Sequence, residues 1–249
     1  MLAAFANLQV VLVGTTHPGN IGAAARAMKT MGLSRLCLVN PQRFPCAEAT
    51  ARAAGADDIL HRAQVFPTLA EAVAGATWVV GSSARVRGLP WPTLTPRAWA
   101  PHMLAAARTA PVALVFGPEH SGLSNSALEH CQALVHIPTD AGFGSLNLAA
   151  AVQVLAYELR LAASVENGTK PERRLPSYAP QAELERLYVH LEQTMVGVGF
   201  LDPEKPRRLL RRMKRLLNRA RLEQNEVNIL RGFLTAIAAR VCADTRGRD

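Results

Sequence analysis

This chain of 249 residues lacks several features that would assign it to common classes of protein. Aromatic residues make up only 5% of it, so a buried core must be built mainly from alanine, leucine and valine. No uncharged apolar run reaches the roughly 18 residues that indicate a membrane-spanning helix, and the N-terminus has no basic region typical of a signal peptide. We therefore expect a cytoplasmic protein without a membrane partner.

The cysteines and histidines form no pattern that would bind a metal ion. The four cysteines are scattered and include no C-x-x-C pair, which argues against a zinc site and against a disulfide framework. Such usage fits a reducing compartment better. The seven histidines show no metal spacing either. The sequence therefore predicts a protein without a metal.

What the chain does have is an unevenly placed excess of positive charge. Residues 169–249 hold 17 Lys and Arg against 10 Asp and Glu, so they carry +7 of the net charge of +9. Nine basic residues and no acidic one lie between Lys205 and Arg221. Surface helices normally mix both signs, so this segment favours a polyanionic partner. An ordinary solvated helix face remains the alternative.

Short apolar runs alternate with helical stretches in the first two thirds of the chain. This pattern predicts an α/β fold with a parallel sheet covered on both faces. The predicted strands are 8–14, 35–39, 77–81, 112–116 and 133–137. The predicted helices are 20–31, 47–54, 68–75, 96–107, 124–131 and 147–162.

The end of the chain has a different character. Residues 164–180 are polar and rich in proline, which predicts a linker after a first domain at 1–163. Beyond it, residues 181–249 have only helical periodicity and form a small basic domain. Its predicted helices are 181–197, 206–220 and 225–242.

The first of three informative loops spans residues 14–32. A strand ends at Gly14, a helix opens at Asn20, and Arg26 lies about two turns further on. The free N–H groups of a helix N-terminus favour anions. The alternative is a plain strand-to-helix connection with a surface arginine.

The second loop, residues 116–125, and the third, which starts at residue 137, also follow predicted strands. Glu119 lies between two glycines, where its carboxylate either braces the loop or takes part in a site. Ser124, or Asn125, should cap the next helix. Ser145 and Asn147 precede an alanine-rich helix, which they could cap or, with its N-terminus, use to bind a polar ligand.

The three loops together carry a specific resemblance. N-x-G-x-x-x-R, G-x-E-x-x-G-L and S-L-N occur here in this order, and they resemble the three motifs of the SpoU branch of the SPOUT methyltransferases. Further stretches are similar to the TrmJ-type tRNA (cytidine/uridine-2′-O)-methyltransferases, so the resemblance covers nearly the whole chain. These stretches are 25–33, 38–41, 81–92, 145–160, 184–200 and 228–234.

The resemblance implies a fold, a cofactor and partners. The fold would be a parallel α/β sheet with a C-terminal trefoil knot, followed by a small all-helical extension. The cofactor would be S-adenosylmethionine, and the enzyme would be a homodimer. The cofactor-binding residues would be Ser82, Ser83, Ala84, Gly117, Ile137, Gly144, Ser145 and Leu146.

The implied reaction is 2′-O-ribose methylation of tRNA at cytidine or uridine, at the first nucleotide of the anticodon loop. Arg26 would orient a phosphate and stabilise the developing alkoxide, because a guanidinium stays charged and makes a poor base. The implied catalytic residues are Asn20, Arg26, Glu119, Ser145 and Asn147. The implied RNA-binding residues are Arg208, Arg211, Arg212 and Arg215. A ribosomal RNA substrate, or a catalytically silent RNA-binding protein, remains the alternative.

Overall fold

The described residues, which in this computed structural model are 2–83, 91–165, 177–205 and 207–246, form a single sheet of seven strands. The strands are β1 (Leu8–Val13), β2 (Arg35–Val39), β3 (Gln64–Phe66), β4 (Trp78–Ser82), β5 (Thr93–Leu94), β6 (Val112–Phe116) and β7 (Ala133–Val135). Their order is β3-β2-β1-β6-β4-β7-β5, and every neighbouring pair is parallel. The predicted parallel sheet is confirmed.

Helices cover both faces of the sheet. They are α1 (Leu2–Ala6), α2 (Pro18–Met31), α3 (Ala47–Ala53), α4 (Asp57–His61), α5 (Leu69–Val73), α6 (Pro96–Ala107), α7 (Asn125–Leu128) and α8 (Leu148–Val165). Val10 and Leu12 pack with α2, α6 and α8 on one face, and Val11 packs with α5 and α7 on the other. Since successive side chains of a strand point to opposite faces, β1 is apolar except for Gln9, whose buried side-chain amide donates to the carbonyl of Ala72 at 2.8 Å.

The elements that sequence reasoning missed are all short. Strand β3 is an edge strand of three residues, and its Gln64 and Val65 are exposed. It therefore has no buried apolar run from which a strand could be predicted. Strand β5 has two residues, and helices α1 and α4 have five each. Helix α2 begins two residues before the predicted start, because Pro18 takes a first-turn position that suits its fixed φ. The trefoil knot stays a prediction.

The strand order places the three informative loops at one edge of the sheet. β1 is paired with β6, β6 with β4, and β4 with β7. Because these strands are parallel, their carboxyl ends all lie at the same edge, where open α/β sheets place their ligand sites. The loops that follow β1, β6 and β7 therefore start from nearby points.

Residues 176–249 form a second compact unit, which is made of three helices in its described part. They are α9 (Gln181–Gly197), α10 (Leu209–Ala220) and α11 (Gln224–Arg246). Residues 177–180, which the sequence analysis placed in the linker, belong to this unit. The N–H of Ala179 donates to the carbonyl of Leu222 at 2.9 Å, and the Ala179 side chain is buried. Backbone pairing, which composition does not reveal, fixes this segment.

Helix α10 is less regular in its burial than its sequence predicts. Leu217 packs against the small core of the unit, whereas Leu216, on the same apolar face, is 49% exposed. The residue that α10 buries most deeply is Asn218, whose side-chain oxygen accepts a hydrogen bond from the hydroxyl of Tyr188. No described helix in either unit is both long and apolar enough to cross a membrane.

Candidate active site

A cleft lies at the carboxyl edge of the sheet, where the loops after β4, β6 and β7 meet. Seven of the eight residues predicted to bind the cofactor line it, and the eighth, Ala84, lies outside the described residues. These seven are Ser82, Ser83, Gly117, Ile137, Gly144, Ser145 and Leu146. The structure therefore brings together residues that are more than 60 positions apart in the sequence.

The Glu119 carboxylate joins the loop after β6 to the loop after β1. Its Oε2 accepts hydrogen bonds from the N–H of Thr16 at 3.1 Å and from the Thr16 hydroxyl at 2.9 Å. Its Oε1 accepts from the Asn20 side-chain amide at 2.8 Å and from the N–H of His17 at 3.3 Å. Four donors thus converge on one carboxylate, and they fix where α2 begins. This is the bracing role that sequence reasoning left open.

This hydrogen bonding controls the charge of Glu119. Partial burial alone would raise its pKa, but the bonds from Asn20 and Thr16 outweigh it and lower the pKa to about 2. A group with so low a pKa is ionised throughout the neutral range and makes a poor proton acceptor. Glu119 therefore acts as a fixed negative charge that holds its neighbours.

Two asparagines extend the connection to the third loop. The side-chain oxygen of Asn20 accepts from the Asn147 amide nitrogen at 3.0 Å. The side-chain oxygen of Asn147 in turn accepts from the N–H groups of Ala149 at 2.9 Å and Ala150 at 3.4 Å, which makes Asn147 the N-cap of α8. A continuous chain of hydrogen bonds therefore runs from Glu119 to the N-terminus of α8.

The other two predicted catalytic residues, Ser145 and Arg26, do not take part in these hydrogen bonds. Ser145 lines the cleft and is exposed, and the cap of α8 is Asn147 instead. Arg26 is exposed on α2 and does not line the cleft. Within the described part of the chain, no hydrogen bond or ion pair engages the guanidinium of Arg26. Both side chains are available to a substrate.

Two glycines of the motifs are required by close packing. A Cβ at Gly22 would lie 2.0 Å from the carbonyl oxygen of Ala49, so this glycine lets α2 and α3 approach each other. A Cβ at Gly117 would lie 2.3 Å from the backbone of Gly122 and Leu123. Gly117 therefore allows the loop that carries Glu119 to fold back on itself.

Sequence reasoning missed two residues that shape the site. Thr16 gives Glu119 two hydrogen bonds, and its only signal in the sequence was its place in the glycine-rich turn before α2. His136 follows β7, and its Nδ1 lies 3.0 Å from the carbonyl oxygen of Ser83. That contact ties the loop after β4 to the loop after β7.

The lining of the cleft suits a nucleoside-like molecule. Apolar walls come from Phe116, Ile137 and Leu148, and hydroxyl groups come from Ser82, Ser83, Thr139 and Ser145. Flat apolar rings and ribose hydroxyls need this mixture. The residues present thus fit S-adenosylmethionine. Among the described residues, no group of three or more His, Cys, Asp or Glu side chains is placed to hold a metal ion.

Comparisons with known proteins agree with this geometry. Residues 7–157 match the model of the SpoU rRNA Methylase family, and residues 182–246 match that of the tRNA methyltransferase TrmJ, C-terminal domain. The tRNA (cytidine/uridine/adenosine-2′-O-)-methyltransferase TrmJ of Pseudomonas aeruginosa is 54% identical over 92% of each chain. The tRNA (cytidine/uridine-2′-O-)-methyltransferase TrmJ of Salmonella typhimurium is 49% identical over 93% of this chain and 96% of its own.

A solved structure extends the match to both units. The crystal structure of TrmJ from Z. mobilis ZM4 is similar with a TM-score of 0.81 and 35% sequence identity, and it covers 92% of this chain and 98% of its own. The predicted parallel sheet with a helical C-terminal extension agrees with that match. The chain therefore belongs to the SpoU methylase family and, within it, to the TrmJ-type methyltransferases.

Proposed function

We propose that this protein transfers a methyl group from S-adenosylmethionine to a ribose 2′-hydroxyl of tRNA. The target is cytidine or uridine at the first nucleotide of the anticodon loop. The observation that carries the proposal is the hydrogen-bond chain Glu119–Asn20–Asn147, which joins all three motif loops beside a nucleoside-sized cleft. The names of the TrmJ relatives support the choice of tRNA and of a ribose 2′-oxygen.

The cleft residues would hold the cofactor mainly through small side chains and backbone groups. When bound, S-adenosylmethionine would supply a methyl group on a cationic sulfur: the bond from this carbon to the 2′-oxygen forms as the carbon–sulfur bond breaks, neutral S-adenosylhomocysteine is the leaving group, and the hydroxyl proton is lost to solvent. The Glu119 carboxylate at the rim of the cleft adds a fixed negative charge, which favours a cationic ligand. The apolar walls formed by Phe116, Ile137 and Leu148 lower the local polarity, which assists a reaction in which a cationic sulfur becomes neutral.

Arg26 is the residue proposed to contact the RNA at the reacting ribose. Its guanidinium carries a positive charge throughout the working pH range and cannot accept the proton. It can form bidentate hydrogen bonds with the adjacent phosphate and stabilise negative charge on the 2′-oxygen. Ser145, exposed in the cleft, would position the same oxygen. Asn20, Glu119 and Asn147 hold the loops in place and are positioning residues.

A homodimer is part of the proposal. Beside the cleft, Phe143 is 80% exposed and Leu146 is 42% exposed, although both are large apolar side chains. Exposed apolar groups at the rim of a site are typical of a surface that a second chain covers. The family resemblance also implies that the partner supplies residues of the first motif, N-x-G-x-x-x-R, to the site. Arg26 belongs to this motif and lies on the exposed side of α2, which agrees with that arrangement.

The helical unit is proposed to bind the tRNA. Arg208 and Arg212 are exposed and offer free charges to phosphates, whereas Arg211 and Arg215 are half-buried and have contacts inside the protein. Of the four predicted RNA-binding residues, we therefore assign the largest effects to Arg208 and Arg212. Contacts of this kind supply affinity without reading the sequence.

One experiment tests the proposal. The purified protein is incubated with S-adenosylmethionine and, separately, with unmodified tRNA transcripts and ribosomal RNA, and the products are digested and mapped by mass spectrometry. We expect one added methyl on the ribose of the first anticodon-loop nucleotide when it is cytidine or uridine, and none on ribosomal RNA. Methylation only of ribosomal RNA, or of no RNA, would overturn the proposal. Transcripts with adenosine at that position show whether the wider base range of the Pseudomonas relative applies.

A further inference from the structure

A second cleft lies within the helical unit, between the end of α9 and the start of α10. It is lined by Phe200, Leu201, Asp202, Lys205, Arg207, Arg208, Leu209 and Arg212. Only two of these residues, Arg208 and Arg212, belong to the predicted RNA-binding set. The remaining residues include an aromatic ring, that of Phe200, and two further positive charges, those of Lys205 and Arg207.

The backbone around Phe200 is firmly fixed. Helix α9 ends in a left-handed turn at Gly199, whose φ is 72° and whose N–H donates to the carbonyl of Val196 at 3.0 Å. The N–H of Phe200 donates to the carbonyl of Met195 at 2.9 Å, which completes the paired hydrogen bonds of a Schellman cap. Phe200 therefore sits on a rigid corner of the unit.

The side chain of Phe200 departs from the usual arrangement of this cap. The residue at its position commonly packs back against the helix that it closes. Here the next residue, Leu201, is buried instead, and Phe200 is 64% exposed. A fixed backbone that holds an aromatic ring in solvent is a platform on which another flat ring can stack.

The charges around this ring are mainly positive. Lys205, Arg207, Arg208 and Arg212 line the cleft, and none of the four side chains has an ion pair within the described residues. The one acidic residue in the lining is Asp202. Its Oδ1 already accepts the N–H of Glu204, an exposed neighbour, at 2.9 Å.

Other basic residues of the same unit are placed differently. Lys214 lies over the Tyr188 ring and pairs with Glu185 at 3.8 Å, and Arg221 stacks on Tyr178 at 4.2 Å from the ring centre. The positive charges of Lys214 and Arg221 therefore make contacts within the unit. The cations of the cleft have no such partner among the described residues, so their charges can contact an external ligand.

We propose that this cleft is a subsite for one unpaired nucleotide of the RNA. The Phe200 ring stacks on its base, while Lys205, Arg208 and Arg212 contact the phosphates on either side. An aromatic ring can stack in this way only on a base that is not inside a duplex. The subsite therefore selects single-stranded segments, such as a tRNA loop. The inference rests on the proposed function, because it takes RNA as the ligand.

The test compares two exposed phenylalanines. Phe200→Ala removes the platform, and Phe233→Ala is the matched control, since Phe233 is 62% exposed on α11 and outside the cleft. The probes are a fluorescein-labelled oligouridylate and an RNA duplex of the same length, and the full-length protein is titrated by fluorescence anisotropy. We expect Phe200→Ala to raise the Kd for the oligouridylate by about tenfold or more. The Kd for the duplex should change little, and Phe200→Trp should retain binding.

The salt dependence separates stacking from charge. Phe200→Ala should leave the slope of log Kd against log salt unchanged, whereas Arg208→Gln should lower it by about 0.7, the value for one phosphate of a single strand. Equal effects of Phe200→Ala and Phe233→Ala, or equal loss of oligouridylate and duplex binding, would overturn the subsite. A protein that methylates tRNA but shows either result keeps its proposed function and loses only the subsite.

Discussion

The two units of this chain use polar residues in opposite ways. In the first, residues 1–175, both faces of the sheet are packed with alanine, leucine and valine, and hydrogen-bonded polar side chains gather at the carboxyl edge. In the second, residues 176–249, the core is small, and polar or charged groups of α10 enter it. The first unit suits a rigid site, and the second suits a charged binding surface. If this division between the two units is correct, substitutions in them affect different properties of the protein.

The largest effect should come from Arg26→Ala. Loss of a charged group that contacts the transition state typically costs 10² to 10³ in turnover, so kcat should fall by roughly that factor. The affinity for S-adenosylhomocysteine, measured by calorimetry, should stay close to that of the unchanged protein. Arg62→Ala is the control, because Arg62 is an exposed arginine whose charge is paired with Asp58 at 2.6 Å. Unchanged turnover in Arg26→Ala would remove this residue from the active site.

The next effect concerns the second unit. Replacing both Arg208 and Arg212 by glutamine should weaken tRNA binding by roughly tenfold for each lost phosphate contact at about 0.1 M salt. It should lower the salt slope by about 1.4, the value for two phosphates of a single strand. Cofactor affinity should not change. Arg186→Gln serves as the control, since Arg186 pairs with Glu183 at 2.5 Å. Filter binding over a salt series measures both quantities, and a slope equal to that of the unchanged protein would contradict the division.

Two helical glycines sharpen the comparison in terms of stability. Gly22→Ala should lower the free energy of unfolding by about 1–3 kcal/mol, because the new methyl would meet the carbonyl of Ala49 at 2.0 Å. Gly232→Ala, on α11, meets nothing within 4 Å and should raise it by about 0.5–1 kcal/mol. Urea unfolding followed by circular dichroism measures both. Opposite signs are the prediction, and equal signs would refute the packing argument.

The effect of Glu119→Gln should be no larger than that of Gly22→Ala, and it should depend on pH. It should lower the free energy of unfolding by about 1 kcal/mol at neutral pH, since an amide cannot accept all four bonds. The pKa of Glu119 is about 2 in the folded chain against an ordinary 4.5. Its stabilisation is therefore complete above about pH 4.5 and is lost as the pH falls towards 2. The difference between the two proteins should shrink over that range, whereas exposed Glu192→Gln should show no comparable trend.

Much of the fold follows from local pattern, and the outcome at each element shows why. The strands 35–39 and 112–116 were predicted to the residue, because a buried strand needs a continuous apolar run: 112–116 is apolar throughout, and 35–39 is apolar after the half-buried Arg35. Strand β3 was missed, since an exposed edge strand needs no such run. The N-cap role of Ser124 is confirmed by its bond with the N–H of Ala127 at 3.1 Å.

The contacts of the site could not be predicted in the same way. Sequence motifs indicated Asn20, Glu119 and Asn147, but not which atoms would meet. The partners lie 99 and 127 positions apart, so only the strand order brings them together. Helical periodicity also could not predict that Asn218 is buried in α10, because it assigns residues to the core by their polarity alone.

The chain of amides from Glu119 to α8 has a consequence for how this protein can evolve. Asn20 donates its nitrogen to Glu119 and accepts from Asn147 at its oxygen, whereas Asn147 donates to Asn20 and accepts from the first turn of α8, so the order of donors and acceptors has a direction. Asn20→Asp, a change that a single base substitution can cause, would set one carboxylate against another and leave Glu119 short of a donor. Such a change could persist only if a second one, about a hundred codons away, arose to compensate it. We therefore expect Asn20, Glu119 and Asn147 to vary together among related proteins, although they lie about a hundred positions apart in the sequence.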